Sequence, residues 1–478
     1  MNLTLLVFTL FSANLAALVL KRKRTIQNIV IVSLSFLALV QGFIIFREFV
    51  SSNEKFVFLN LGDFGFSLEP IGMIFILMVL FLWLCNNVYS ISYFANNTDL
   101  NQTRIHCFIA ISVLLSVLIG LSKDLLSTFI LYELLTIFTY PLVANNLTSS
   151  EKDAAKFYLF FLMISSMVLF LPAVLFLYSK YGSLEYNKIS NLEDSHVLIV
   201  VFCLIYGVSK AAIVPMHFWL PKAMVAPIPV SALLHAVAVV KSGVFILIKV
   251  FVYIIGLKSL QSLPQVYGVN ILTIMISLSL LVSSIMAVYQ KSLKKLLAYS
   301  TINQLSVCIL SLSLFNKTGV IAAVLHMLSH AAAKITLFFG AGHIYTNSRL
   351  SEIDLMSGIS KRMPITCLLF MVSALSIIGI PVLAGFISKA YIMVAAFQGV
   401  TKYYAVSILA ISILFTANYF IRLVHRFYIV PSQHDISRVK REDITNTMLW
   451  GMVLSSSFVI FFFLIFQDIL NLLNRVFL

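Results

Sequence analysis

Apolar segments of bilayer-spanning length follow one another through this chain, from "LTLLVFTLFSANLAALVL" at one end to "GMVLSSSFVIFFFLIF" at the other. Crossing a hydrocarbon core takes ~20 apolar residues per helix, because no water is present to satisfy backbone N–H and C=O groups. A strand barrel would instead show ~10-residue stretches of alternating polarity, and the runs here are continuous. The pattern predicts an all-α polytopic membrane protein. Composition agrees: 11% of the 478 residues are charged and 60% are hydrophobic, where a soluble domain carries ~25% charged residues.

Runs and their breaks predict about fourteen spans, at 3–20, 28–47, 70–94, 105–121, 125–144, 156–179, 196–216, 230–255, 270–290, 297–315, 319–344, 364–388, 402–428 and 445–473. The first is read as a span, since it lacks the basic start and small-residue cleavage site of a removed signal. The longest polar interval is the 345–363 loop, so residues 1–478 are expected to form a single membrane domain.

Charge sets the expected orientation. Loops after odd-numbered spans hold 19 of the 33 Lys and Arg residues, from Lys21–Arg24 to the stretch around Arg422, Arg426, Arg438, Lys440 and Arg441. Loops after even-numbered spans and the C-terminal tail hold 9, and five (Lys210, Lys241, Lys249, Lys334, Lys389) lie inside spans. The positive-inside rule then puts both termini on the outer side. The net charge of +15 reads as a topology signal; no soluble basic face exists to hold nucleic acid. Five scattered cysteines (Cys85, Cys107, Cys203, Cys308, Cys367) show no CxxC spacing and read as small buried hydrophobes. No phosphate loop or dinucleotide fingerprint is present, so no cofactor is expected and any redox chemistry belongs to a partner.

Two spans carry proline beside lysine. Pro215 follows Lys210 in span seven, and Pro381 precedes Lys389 in span twelve. Each proline leaves a carbonyl four residues earlier, that of Ala211 or Ile377, without its helical donor. The two broken spans are five apart in the count, which suggests two inverted five-helix repeats, spans 4–8 (105–255) and 9–13 (270–428). Three helices (1–104) would precede them and a C-terminal helix (445–478) follow. Paired interruptions in two halves point to a transport site near midplane.

An intramembrane charge costs at least ~2.5–3.5 kcal/mol, so several together need a reason. Glu133 falls mid-span, as do Lys210 and Lys241. His326, His330 and Lys334 follow at i, i+4, i+8, which stacks them on one helix face. Lysine snorkelling to the interface is the competing explanation for Lys249. Metal ligation by the histidines competes with proton relay, although Lys334 one turn on would repel a cation. Proton movement suits the set. A carboxylate near a buried amine holds a proton on it, and withdrawal releases the proton, at ~1.36 kcal/mol per pKa unit. Moving one charge through 100 mV involves ~2.3 kcal/mol, a comparable amount. A Glu133–Lys210 pair is therefore expected to act as the switch.

"YELLT", "KAAIVPMHFWLPKAMVAPIPVSALLHAVAVVKSG", "KKLLAYSTINQLS", "HMLSHAAAK" and "GIPVLAGFISK" resemble the hallmark segments of antiporter-like membrane subunits. That family includes the proton-pumping membrane chains of respiratory complex I, subunits of Mrp-type sodium/proton antiporters, and membrane-bound hydrogenase subunits. The resemblance covers about residues 105–390. It implies fourteen helices in inverted repeats and a polar axis in which Glu133 pairs with Lys210 and Lys241 connects the halves. His326, His330 and Lys334 then form the second relay, Lys389 is the far ionisable residue, and His235 is a further candidate. The chain stops at Leu478 without a lateral helix, and it has lysine at 389 where one complex I chain has glutamate. The wording is similar to D-type antiporter subunits. The expectation is a proton-translocating subunit of a multisubunit monovalent cation (Na+)/H+ antiporter in a bacterial inner membrane, partnered by other membrane subunits, H+ and Na+, and lipid. The alternative is a membrane-arm subunit of a complex I-like oxidoreductase or hydrogenase.

Overall fold

The computed structural model describes residues 2–51, 56–61, 64–98, 100–145, 148–186, 192–399, 401–431 and 439–477; Arg438 of the basic stretch lies outside them. The chain is helical almost throughout. α1 (Asn2–Val19), α2 (Arg24–Ser51) and α3 (Pro70–Asn96) come first, with a hairpin of β1 (Phe56–Leu61) and β2 (Phe64–Leu68) before α3. Then follow α4 (Gln102–Leu121), α5 (Leu125–Val143), α6 (Ser149–Ser165) running through a π turn into α7 (Leu171–Tyr181), α8 (Asp194–Gly207), the short α9 (Trp219–Lys222), α10 (Ile228–Ala236) and α11 (Val239–Val250). A short α12 (Leu257–Gln261) and the hairpin of β3 (Gln265–Val266) and β4 (Val269–Asn270) lead to α13 (Ile271–Val288), α14 (Leu293–Leu312) and α15 (Lys317–Ser348). α16 (Pro364–Ile378), α17 (Ala384–Phe397), α18 (Lys402–Tyr428) and α19 (Thr447–Asn474) complete the chain. Among the described residues, eleven helices are long and apolar enough to cross a membrane.

Polar residues between apolar runs set many of the ends. Asn101, Asp124, Thr148, Asn316 and Asn446 each cap a helix by accepting from a backbone N–H of its first turn, which satisfies a donor that a helix start leaves bare. The narrow breaks expected at 121–125 and 315–319 therefore stand.

The interrupted spans differ from expectation in where they break. The sequence places span seven at 196–216, around Pro215. Its helix ends earlier, at Gly207, and the chain then runs through a 3₁₀ turn (Ser209–Ala211) and irregular backbone to α9. Span twelve ends its first helix at Ile378, where Gly379 takes φ +101°, and resumes as α17 to Phe397, nine residues past the expected limit. Span eight, expected to be continuous, is interrupted at Val237–Ala238. There the Val237 and Ala238 amides both donate to Leu233 O at 3.0 Å. The widened turn needs no proline or glycine, so nothing in "LLHAVAVVK" marked it.

Burial sorts the helices. Residues 319–344 of α15 and 226–251 around α10 and α11 are buried throughout, whereas α1, α2, α6 and α19 turn large apolar side chains such as Phe8, Ile29, Phe160 and Leu464 outward. The helices that carry the mid-span lysines and histidines, α10, α11 and α15, occupy the interior, and α1, α2, α6 and α19 form part of the outer surface. All five cysteines are free; Cys85, Cys308 and Cys367 are buried, while Cys107 and Cys203 are partly exposed.

Candidate functional site

Every ionisable residue singled out from the sequence is buried: Glu133, Lys210, His235, Lys241, His326, His330, Lys334 and Lys389. Burying them this way is tolerable only where partners replace water. For Lys210, Lys334 and Lys389 the partner is a main-chain carbonyl, and for Lys389 a helix interruption exposes it.

Lys389, on α17, is the plainest case. Its Nζ donates to Ile377 O at 2.6 Å and Ile378 O at 2.9 Å. Ile377 O is the carbonyl deprived of its donor by Pro381, so the amine fills the gap made by the break and faces the negative end of α16. Gly385 makes this approach feasible: a Cβ there would lie 1.8 Å from Ser376 O.

Lys210 is held differently from expectation. Its ammonium lies 3.4 Å from the centroid of the Tyr132 ring and donates to Tyr132 O, and its backbone N–H donates to the Tyr132 hydroxyl at 3.2 Å. No ion pair joins it to Glu133, whose two carboxylate oxygens have no hydrogen-bond partner among the described residues. Ser166 lies beside Glu133 but donates to the Leu162 and Met163 carbonyls, at 2.9 and 3.0 Å. The direct Glu133–Lys210 contact is therefore absent: Tyr132, one residue earlier, supplies a carbonyl and a π face that take the carboxylate's place. The two groups remain electrostatic neighbours.

At the centre, Lys241 Nζ and His330 Nδ1 lie 2.6 Å apart. His330 stacks with His326 at 6.2 Å between ring centroids, and His326 Nδ1 is 3.0 Å from Ser388 Oγ, next to Lys389. Lys334, one turn along α15, donates to Leu297 O at 3.1 Å. His235, just before the α10–α11 interruption, packs 5.0 Å from Phe338 and has no partner for either ring nitrogen among the described residues. From Lys389 through His326, His330 and Lys241 to Lys334 and His235, each group has the next as an electrostatic neighbour. No group of three or more His, Cys, Asp or Glu arranged to hold a metal exists among the described residues.

Several polar residues fall outside the expected axis. Lys249 does not snorkel: it is fully buried and pairs with Glu69 at 3.2 Å. Its spacing of eight from Lys241 was a usable signal. His343, on α15, hydrogen-bonds Thr366 Oγ1 at 2.8 Å beside Glu442, whose carboxylate accepts from the Ile365 and Thr366 amides at 2.8 Å. A loop carboxylate capping a distant helix leaves no local pattern to find.

The family described as NADH:quinone oxidoreductase/Mrp antiporter, transmembrane, matches residues 122–416. A probable K(+)/H(+) antiporter subunit from Rhizobium meliloti (strain 1021) is 31% identical over 337 residues, covering 67% of this chain and 32% of that protein. NADH-ubiquinone oxidoreductase chain 5 from Metridium senile is 28% identical over 373 residues, covering 77% of this chain and 60% of that one. The chain thus spans between about a third and three fifths of the length of these curated relatives. A chain of the Mrp complex from Dietzia sp. DQ12-45-1b superposes with a TM-score of 0.85 at 18% identity, covering 98% of this chain and 96% of that one, a likeness of fold.

Proposed function

The chain belongs to the NADH:quinone oxidoreductase/Mrp antiporter transmembrane family, and from that membership we propose that it is a proton-translocating subunit of a multisubunit monovalent cation/proton antiporter. The reading is carried by the Lys241–His330 contact. Two buried bases 2.6 Å apart cannot both hold a full complement of protons, since like charges at that distance exclude one another. They share one proton, and its passage from amine to imidazole nitrogen is a unit step of transfer. His330 Nε2 has no partner in the described residues, so the imidazole can take a proton at one nitrogen and release it at the other.

Protons then move between Glu133 and Lys210 in one half, through Lys241, and along His330 and His326 to Lys389 in the other, with Lys334 and His235 on the flank. The Glu133–Lys210 geometry corresponds to the separated arm of a charge-pair switch. Closing it would bring the carboxylate to the amine and fix the proton there. Partners are other membrane subunits, in keeping with the subunit relatives and the Mrp-complex fold match. The charge bias supports odd-numbered loops inside and both termini outside.

Two observations favour the inverted five-helix repeat. α5 and α14 each begin beside a short antiparallel bridge to the loop after the following span, Asp124 to Glu185 and Ser292 to Glu352. Both proline-bearing breaks also contain a non-glycine residue with positive φ, Ala212 at 53° and Val382 at 75°.

A second reading has one specific observation behind it, the similarity to chain 5 of an NADH-ubiquinone oxidoreductase. In such an assembly the same axis would be driven by redox chemistry in other subunits, and the purified complex would reduce quinone. The test of the axis common to both readings is proton transport in inverted vesicles bearing the whole assembly. Glu133→Ala, Lys210→Ala and Lys241→Ala should each abolish transport while the complex still assembles normally. Wild-type transport in the assembled variants would overturn it.

A further inference from the structure

The proton axis ends in the interior, and its first half needs a route to an aqueous face. α11 offers the connection. Lys241, Phe245 and Lys249 are spaced i, i+4, i+8 on this helix, so they stack on one face over ~12 Å at the standard rise. Lys241 belongs to the axis; Lys249 lies at the end of α11 next to the loops after spans two, four, six and eight. Those are the loops poor in basic residues, which the charge bias puts outside.

Lys249 is the centre of a built cluster. Its Nζ pairs with Glu69 at 3.2 Å, donates to Ser122 O at 2.6 Å and lies 4.0 Å from the centre of the Tyr186 ring. Glu69 occupies the N-cap position of α3 yet makes no capping hydrogen bond, so its carboxylate is not spent on the helix start. Its side chain retains 14% exposure while Lys249 has none, so the pair reaches from the interior to the surface. Asp124 is part of the surroundings but is committed to Ser127 and the Gly65 amide. Lys123 and Glu185, paired at 2.9 Å and partly exposed, form the rim.

Between the two lysines, Phe245 stacks on Phe75 of α3, with centroids 4.3 Å apart and planes 16° from parallel. α11 and α3 with its N-cap residue thus contribute both the outer ion pair (Glu69, Lys249) and the aromatic stack beneath it (Phe75, Phe245). An apolar constriction between two polar stations excludes water and stops proton conduction until it opens.

We propose that Glu69–Lys249 is the outer proton station of the first half and that the Phe75–Phe245 stack is the gate separating it from Lys241. Sliding of α11 against α3 would part the rings and let water join Lys241 to Lys249; with the stack closed, the axis is sealed from that face. This assignment rests on the proton-axis reading. A purely structural pair would tie α3 to α11 without affecting proton leakage, so leakage is the readout.

The experiment measures passive proton flux under an imposed membrane potential, without a coupling cation, in vesicles bearing the complete assembly. Phe245→Ala should raise the leak about tenfold, equivalent to ~1.4 kcal/mol off the barrier. Phe245→Leu, which refills most of the volume, should bring it back down. Adding Lys241→Ala to Phe245→Ala should remove the leak, because the leak runs through the axis. Glu69→Gln, which keeps the shape and removes the acid, should slow coupled transport by about tenfold. A tight Phe245→Ala assembly, or wild-type transport by Glu69→Gln, overturns the gate and station even where Lys241→Ala abolishes transport. If Lys241→Ala alone transports normally, the axis itself is what fails.

Discussion

Lys389 shows how a membrane interior can hold an amine without a carboxylate. Its two acceptors are the carbonyls of Ile377 and Ile378, which the helix break leaves without amide donors. Removing the amine strands them in an apolar setting, at about 1–3 kcal/mol for a buried group left unpaired. Lys389→Met should therefore lower the thermal unfolding midpoint of the solubilised assembly and stop transport. Lys389→Arg should recover stability, because it still donates, but not transport, because a guanidinium does not release its proton. Recovery of both by arginine would make Lys389 a structural plug. The charges themselves were legible as isolated ionisable residues in apolar runs. Their partners were not: an acid was expected beside Lys210, and Tyr132's carbonyl and ring stand there. Tyrosine one residue from glutamate gives no sign of which of them will face the amine.

At the scale of elements, the proposed proton axis depends on where helices stop. Among the described residues three spans are interrupted, and each interruption lies within a few residues of a candidate proton carrier: Lys210, His235 with Lys241, and Lys389. Two were foreseen from proline beside lysine; the third, at Val237–Ala238, was not, because its widened turn follows from packing. Gly243 illustrates the constraint. A Cβ on it would come within 2.5 Å of Ala211 N and 2.8 Å of Lys210 C, so α11 and the Lys210 turn meet backbone to backbone. Gly243→Ala should push them apart, with an overpacking cost of about 1–3 kcal/mol. The expected outcome is a lower unfolding midpoint together with reduced transport. A variant with both unchanged would mean that the two segments can separate freely.

For the whole molecule, orientation follows from charge and can be measured. In a cysteine-free background, Tyr267→Cys in the β3–β4 hairpin should react with a membrane-impermeant maleimide from outside, and Thr98→Cys, between α3 and α4, only from inside. The reverse labelling pattern would invert the topology. The sequence by itself determined the solvent this protein lives in, its helical character, the family it belongs to and which side chains carry charge. Each follows from local facts: the length of an apolar run, the residue types within it, and the wording of short segments. Only the tertiary structure decided what each charge faces. It brought Lys241 to His330, 89 positions along the chain, and left Glu133 without a direct partner among the described residues. It also buried Lys249 against Glu69, 180 positions earlier. Hydrogen bonds act over about 3 Å, and which groups come that close depends on the packing of helices far apart in sequence, which no local pattern records.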